Sequence, residues 1–416
     1  MASMRVGVVG LGYVGLPLAV AFADRGAEVI GVDIDARRVA AIRDGTADRH
    51  DETLTAEALG RVTATTDFAA LAEADAVLIC VPTPLTPNRE PDLAPLVTCA
   101  QQVAQVLRRG QLVVLESTTF PGTTRERLGP LLEASGLRAG ADFALAYSPE
   151  RLDPGRVGQG LRHTPKLVAG LTRSCCDRAE ALYRIVCDEV VPVSNTEVAE
   201  FTKLLENIFR SVNIALVNEL ALLADRMELD IWEIIDAAAT KPYGFMRFDP
   251  GPGMGGHCLP VDPFYLSWRA SEFDFACEFV ELAGKVNQAM PAHCATRVQR
   301  TLNGVGLPVK GARILVLGVS YKAGIPDTRE SPALPIIAKL RELGGDVAYH
   351  DPHVPRLAHA RLESRPLDEA LSWADVAVIV TAHPEVDHDA VAERARLVVD
   401  LRGVTRHVVS DTVVRL

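Results

Sequence analysis

The chain has 416 residues, too many for one compact core and enough for two or three domains. Apolar residues make up 48% and charged residues 23%, the balance of an ordinary globular α/β protein. A net charge of −11 argues against a nucleic acid or an anionic membrane as partner, since both repel an acidic surface, although a local basic pocket can still take a phosphate.

The first 150 residues alternate apolar runs of strand length with helical stretches, the pattern of a parallel sheet with crossover helices. Strands are expected at Met4–Gly10, Glu28–Asp33, Ala76–Val81, Leu112–Glu116 and Phe143–Tyr147. The uncharged run Val6–Ala23, with Arg5 ahead and Ala21-Phe22-Ala23 behind, also admits a secretory signal or a membrane span. Gly7, Gly10, Gly12, Gly15 and Pro17 within it favour a strand, a turn and a helix instead.

That turn, Gly10-Leu11-Gly12-Tyr13-Val14-Gly15, is a GxGxxG between strand and helix. The first glycine permits the tight turn, the second lets backbone approach a pyrophosphate, and the third lets helix and strand pack closely. The helix N-terminus offers free N–H groups to phosphates. Asp33, ending the next strand, can accept from a ribose 2′-hydroxyl and repel a 2′-phosphate, which favours NAD over NADP. Arg37 and Arg38 nearby pull slightly the other way.

Thr196 to Asp230 contains neither glycine nor proline, and Phe201, Leu204, Leu205, Ile208, Val212, Ala215 and Leu216 keep helical spacing. A helix of this length spans roughly 50 Å, enough to join two domains, and such helices often pack against a twin. Lys203 and Asn207 share one face of it, and Arg210 continues that face. Spacing alone leaves Lys203 as either a functional or an ordinary helix lysine.

The segment Pro250–Pro263 carries Gly251, Gly253, Gly255, Gly256 and several prolines around His257-Cys258. Backbone there can close over a ligand, and local N–H groups or a cation would favour a thiolate at Cys258. Cys258 thus stands as a candidate nucleophile against the alternative of an inert packing thiol. The other cysteines (80, 99, 175, 176, 187, 277 and 294) show no CxxC pair and no zinc-type spacing, and read as reduced, buried thiols of a cytoplasmic protein.

Residues 310–416 repeat the opening plan, with a strand at Arg313–Gly318, a helix from about Pro332, and Asp351 at a strand end as Asp33 is. Duplication and convergence both explain this. Gly318-Val319-Ser320-Tyr321 lacks the later glycines, so no second dinucleotide is expected there. Lys322, Arg329 and Arg402 are cationic candidates for another phosphate group, or else solvated surface residues. His350, His353, His383 and His388 look too few and isolated for a metal site, with His383 and His388 in surface loops.

GLGYVGLPLA, VPTPL, ESTTFPGTT, SPER, KLLENIFRSVNIALVNEL, PGPGMGGHCLPVDP and GVSYKAGIPDTRESP together resemble the UDP-glucose/GDP-mannose dehydrogenase family, in the family's order and over nearly the whole chain. The resemblance implies an α/β protein of two Rossmann-like, doubly wound domains joined by a long central helix. It implies residues 1–195 for NAD, 196–300 for a helical dimerisation region and 301–416 for a UDP-binding domain. It implies Cys258 as nucleophile, Lys203 as general acid/base, Asn207 at the oxyanion, Asp262 supporting the lysine or a water, and Glu150 assisting hydrolysis. Beside Gly10, Gly12, Tyr13, Val14, Gly15, Asp33 and Arg38, it places Thr83, Thr118 and Arg329 near the cofactor, with Thr118 close to the chemistry. It sets Arg151, Leu152, Arg210, Arg247 and the Gly253–Gly256 loop, including Gly255, against the substrate, and Lys322 and Arg402 at its diphosphate or uridine end. No metal is implied.

Thr240–Met246 and Pro91-Asp92-Leu93 look like members acting on UDP-N-acetylglucosamine or UDP-N-acetylgalactosamine, and the His-Pro-Arg usual in mannosamine-type members is missing. UDP-glucose remains the alternative sugar. A two-electron dehydrogenase without a nucleophilic cysteine and a non-catalytic NAD or nucleotide-sugar sensor remain the alternative functions.

Overall fold

The computed structural model describes residues 4–47, 54–151, 160–256 and 261–416. The chain divides into two compact units, Met1–Glu206 with Phe264–Ala276, and Asn207–Pro263 with Cys277–Leu416.

The first unit is built on strands β1 (Arg5–Val9), β2 (Glu28–Val32), β3 (Val62–Thr65), β4 (Ala76–Ile79), β5 (Leu112–Leu115), β6 (Ala144–Tyr147), β7 (Lys166–Gly170) and β8 (Val190–Pro192). They pair in the order β3-β2-β1-β4-β5-β6-β7-β8, all parallel except β6 against β7. Each of the five expected strands is present, trimmed at its ends. β4, β5 and β6 are buried along their whole length, because crossover helices cover both faces and only continuous apolar runs survive there. The strand order reverses between β1 and β4, which pair in parallel through Val6–Val9 and Ala76–Ile79. That crevice at the carboxyl ends is where open α/β sheets hold ligands.

The second unit repeats the plan with β9 (Arg313–Leu317), β10 (Asp346–His350), β13 (Val376–Ile379), β14 (Val398–Asp400) and β15 (Val413–Arg415), all parallel in the order β10-β9-β13-β14-β15. A small antiparallel hairpin of β11 (Arg356–Leu357) and β12 (Leu362–Glu363) follows β10. Their order reproduces that of β2-β1-β4-β5-β6 in the first sheet.

The long helix runs Thr196–Arg226, four residues short of the expected end. Glu228 adopts the left-handed backbone (φ 56°), and the Asp230 side chain accepts from the Trp232 and Glu233 N–H groups to start a new helix, Ile231–Ala239. One stripe of the long helix is apolar and exposed: Phe201, Leu205, Phe209, Leu216, Leu220 and Leu223 are each 44–55% accessible. Among the described residues, no helix is long and apolar enough to cross a membrane.

Near its start the same helix buries Glu200 completely. The carboxyl accepts from Gly122 N (2.6 Å), Thr124 N (2.8 Å) and Thr124 Oγ1 (2.7 Å), which ties the helix to the loop after β5. Burial pushes this carboxyl up to about 7 against the pull of those donors. A folded-state value raised above the unfolded one means stability present at low pH and lost as pH rises through 7. Wild type should therefore lose roughly 3 kcal/mol relative to Glu200→Gln between pH 5 and pH 8, read from chemical denaturation of both proteins at each pH. A gap that does not change with pH would contradict this.

Candidate functional site

Gly10 turns the chain out of β1 with φ 91°, and a Cβ there would meet Cys80 O at 2.6 Å. A Cβ on Gly15 would stand 1.9 Å from Gly10 O, so helix and strand can touch only as glycines. Gly12 differs: a Cβ on it would meet nothing nearer than Arg38 Nη1 at 3.8 Å. The middle glycine thus leaves open space beside the helix Gly15–Asp24, whose N-cap, Val14, supplies no side-chain acceptor to the first N–H groups. Open backbone at a helix N-terminus suits a pyrophosphate. Asp33 is buried and binds Leu11 N (2.9 Å), Asp35 N (2.9 Å) and Arg38 Nη1 (3.3 Å), so it also braces the turn.

The loops after β4 and β5 meet beside this turn, where Thr83 Oγ1 donates to Thr118 O at 2.7 Å. Tyr265 Oη donates to Thr83 O at 2.8 Å. After β6, the Ser148–Arg151 segment is stitched to the start of β7. Ser148 Oγ bonds Leu167 O (2.8 Å), Lys166 Nζ bonds Pro149 O (3.1 Å), and Arg151 Nη1 bonds Pro165 O (2.9 Å). Arg151 also pairs with Glu206 at 2.6 Å, and Glu150 stands 3.6 Å from Lys166 Nζ. The structure therefore places Arg151 in an ion pair within its own unit.

Lys203 and Asn207 follow one another by a turn on the long helix, Lys203 only 8% exposed. Asn207 Nδ2 donates to Asp262 Oδ2, and Asp262 is buried. Arg210 is exposed. Arg247 spans Asp236 (2.6 Å) and Asp249 (2.9 Å).

The glycine loop owes its composition to close packing within the second unit. A Cβ on Gly255 would fall 2.6 Å from Tyr321 Cβ, one on Gly256 2.9 Å from the Tyr321 ring, and one on Gly251 2.6 Å from Arg402 Nη1. Gly253 has φ 132°. Asn218 anchors the loop through Gly251 N (2.9 Å) and is held in turn by Asn287 (2.9 Å). Arg402 and the turn carrying Tyr321 and Lys322 therefore flank the loop, whereas Arg329 forks onto Asp327 at 2.8 and 3.0 Å. Cys258 and Leu152 lie outside the described residues.

Two expectations need correction. His383 is not in a surface loop: it is 1% exposed, its Nδ1 accepting from Gly324 N (3.1 Å) and its Nε2 facing Asp351 Oδ2 (3.0 Å). His388 is half-buried at the start of the helix His388–Arg394. Nor are these histidines isolated, since ligand atoms of His353, His383 and Glu385 lie within 4.8 Å of one another. The buried Asp351 carboxylate draws the cluster together, and both His383 nitrogens are committed to it and to Gly324, leaving no lone pair for a cation. Asp351 itself is saturated by Val319 N, Ser320 N, His353 N, Val354 N and His383, so it has no capacity left for a ribose.

Three matches to one family span this architecture: its NAD binding domain at residues 4–187, its central domain at 197–289 and its UDP binding domain at 315–407. The chain belongs to the UDP-glucose/GDP-mannose dehydrogenase family. It is an NAD-dependent oxidoreductase. A UDP-N-acetyl-D-mannosamine dehydrogenase of Pyrococcus horikoshii is 38% identical over 97% of this chain and 96% of its own. A UDP-N-acetyl-D-glucosamine 6-dehydrogenase of Pseudomonas aeruginosa is 37% identical over 85% of this chain and 84% of its own. Among solved structures, a UDP-D-ManNAc dehydrogenase from Pyrococcus horikoshii matches with TM-score 0.89 and 36% identity over 99% of both chains. The GxGxxG turn and its crevice lie within residues 4–187, the part matched by the family's NAD binding domain.

Sequence reasoning missed several polar residues that hold these parts: Glu200, the Asn218–Asn287 pair, and Lys166 with Glu116 and Tyr183. A lysine opening the apolar run Lys166–Gly170 and a glutamate closing Leu112–Leu115 were the available signals. From the glycine geometry, Gly12→Ala should melt as wild type does while NAD binding weakens about tenfold or more, a loss of about 1.4 kcal/mol. Gly15→Ala should unfold at markedly lower denaturant. Calorimetric NAD titration and denaturant melts check both, and equal NAD affinity in Gly12→Ala would refute the assignment.

Proposed function

We propose that the chain oxidises the C6 hydroxymethyl of a UDP-N-acetylhexosamine to a carboxylate in two NAD-dependent steps, through an intermediate bound to Cys258. The observation that carries this reading is the Asn207–Asp262 pair one turn beyond Lys203 on the long helix, in a chain that matches the family's NAD binding and central domains.

In the first oxidation Lys203 takes the hydroxyl proton as hydride leaves C6. The Cys258 thiolate then adds to the aldehyde carbon, and its tetrahedral oxygen is stabilised by donors from Lys203 and Asn207. Loss of a second hydride gives a thioester. Water attacks it with Glu150 accepting the proton, the C–S bond breaks, and the acid and thiol are regenerated. Asp262 accepts one Asn207 amide N–H and so holds the side chain, leaving the other N–H for this task. Thr83 and Thr118, with Gly10, Gly12, Tyr13, Val14, Gly15, Asp33 and Arg38, would hold the dinucleotide. Arg210, Gly253 and Gly255, with Lys322 and Arg402, would hold the sugar diphosphate. Arg151, Arg247 and Arg329 enter with their charges already paired, and we assign them to shaping these sites.

Relatives named for N-acetylmannosamine and N-acetylglucosamine stand at 38% and 37% identity, which supports the N-acetylhexosamine class without ranking its members. The exposed stripe of the long helix supports a homodimer formed through residues 196–300, since six apolar side chains on one face favour burial. The described cysteines are unpaired, in keeping with the cytoplasm.

A panel of UDP- and GDP-sugars should give two NADH per molecule with a UDP-N-acetylhexosamine, and Cys258→Ala should release no acid. One NADH per sugar at full turnover would refute the four-electron reaction. Leu216→Asp with Leu220→Asp should halve the mass seen in analytical ultracentrifugation; an unchanged dimer would place the interface elsewhere.

A further inference from the structure

Behind the carboxyl end of β6 the first unit buries a charged cluster that none of the steps above employs. Lys166 is 2% exposed, and its Nζ donates to Glu116 Oε2 at 2.7 Å and to Pro149 O at 3.1 Å. The Glu116 side chain is wholly inaccessible, and its other oxygen accepts from Tyr183 Oη, a phenol buried on the helix Arg173–Tyr183. The ammonium also lies 5.1 Å from the centre of the Tyr183 ring. Its third direction faces Glu150, whose Oε2 is 3.6 Å away and whose Oε1 accepts from Arg151 N at 2.6 Å.

A lysine ammonium has three N–H groups, and here two are spent on Glu116 and Pro149 while its charge reaches Glu150. Burial alone would discharge such a lysine, yet Glu116 and Glu150 together outweigh it and hold the ammonium above its ordinary value. Burial meanwhile pushes the Glu116 carboxyl up against the pull of Lys166. The neighbouring Cys80 thiol is raised well above its usual range by burial, with Glu116 adding to it, so it contributes no competing anion. The cluster is costly to bury and gives the sheet nothing that an apolar trio would not. What distinguishes it is its reach: it fixes both the Pro149 carbonyl and the carboxylate of the next residue.

We propose that Lys166, locked in place by Glu116 and Tyr183, is a positioning residue that sets Glu150 for the hydrolysis releasing the product acid. This rests on the reading of Glu150 as the group that accepts the proton of the attacking water. Lys166 touches neither sugar nor cofactor. It acts by holding the Glu150 carboxylate, and the loop beneath it, where the water attacks. In that step the water oxygen bonds to the thioester carbon, the water proton passes to Glu150, and the C–S bond breaks with its electron pair on sulfur. No oxidant is involved.

The test compares Glu150→Gln, Lys166→Met and the double variant Lys166→Met/Glu116→Gln in the full chain. The double variant replaces the buried Lys166–Glu116 pair by neutral groups and leaves no bare charge at the wholly buried Glu116 position, so its fold should survive even where the single variant's does not. Each is mixed with UDP-N-acetylhexosamine and NAD, and the NADH burst and the acid-quenched intact mass are followed. Lys166→Met and the double variant should bind NAD as wild type does and release two NADH in the first turnover. They should then turn over 10- to 100-fold more slowly, with an acyl adduct accumulating on Cys258 as it does in Glu150→Gln. A double variant that is folded and hydrolyses at the wild-type rate, with no adduct, would overturn the proposal. If Glu150→Gln accumulates no adduct either, the underlying reading of Glu150 fails instead, and the two failures are told apart.

Discussion

The dinucleotide site depends on backbone meeting backbone where Gly15 passes Gly10. With 1.9 Å between a hypothetical Cβ and the opposing carbonyl oxygen, no other residue lets the first helix sit against β1. Because that contact sets the helix, it also sets where its unpaired N–H groups emerge, and Asp33 then fastens the turn through Leu11 N. The crevice between β1 and β4 is therefore defined by atoms that belong to the main chain. Thr83 and Thr118 join the loops that leave the neighbouring strand ends.

The two sheets share a five-strand order and an aspartate at equivalent strand ends, yet they use that aspartate in opposite ways. Asp33 retains one face beside an open glycine and an arginine that is half exposed. Asp351 is sealed by four backbone N–H groups and by His383. The difference follows from the turn above each: Gly12 leaves room, whereas Val319 and Ser320 bring their amides down onto the acid. The second sheet thus leaves no carboxylate free at that turn, and Arg402 and the turn carrying Lys322 stand beside the glycine loop instead.

Apolar periodicity and punctuation made most of the architecture legible. β1 to β6 could be placed because parallel strands under helices on both faces are continuous apolar runs, and the glycine turn announced itself by spacing. The end of the long helix could not be, since Glu228 in a left-handed conformation leaves no trace in a pattern that expects glycine there. The polar anchors were invisible for a different reason. Glu200, Lys166 and Asn218 look like ordinary members of helices or strands, and only the partners brought from 76, 50 and 69 residues away make them buried clamps. His383 was misjudged on the same account, because its partner lies 32 residues back, just past the end of β10.

The His383–Asp351 lid has an evolutionary consequence. Restoring glycines to the Gly318–Tyr321 turn would free space without freeing the acid, which would still be held by an imidazole whose other nitrogen is tied to Gly324. Coenzyme binding in the second half would require turn and histidine to change together, and either change alone would expose unpaired buried groups. The two halves are thereby kept from exchanging roles.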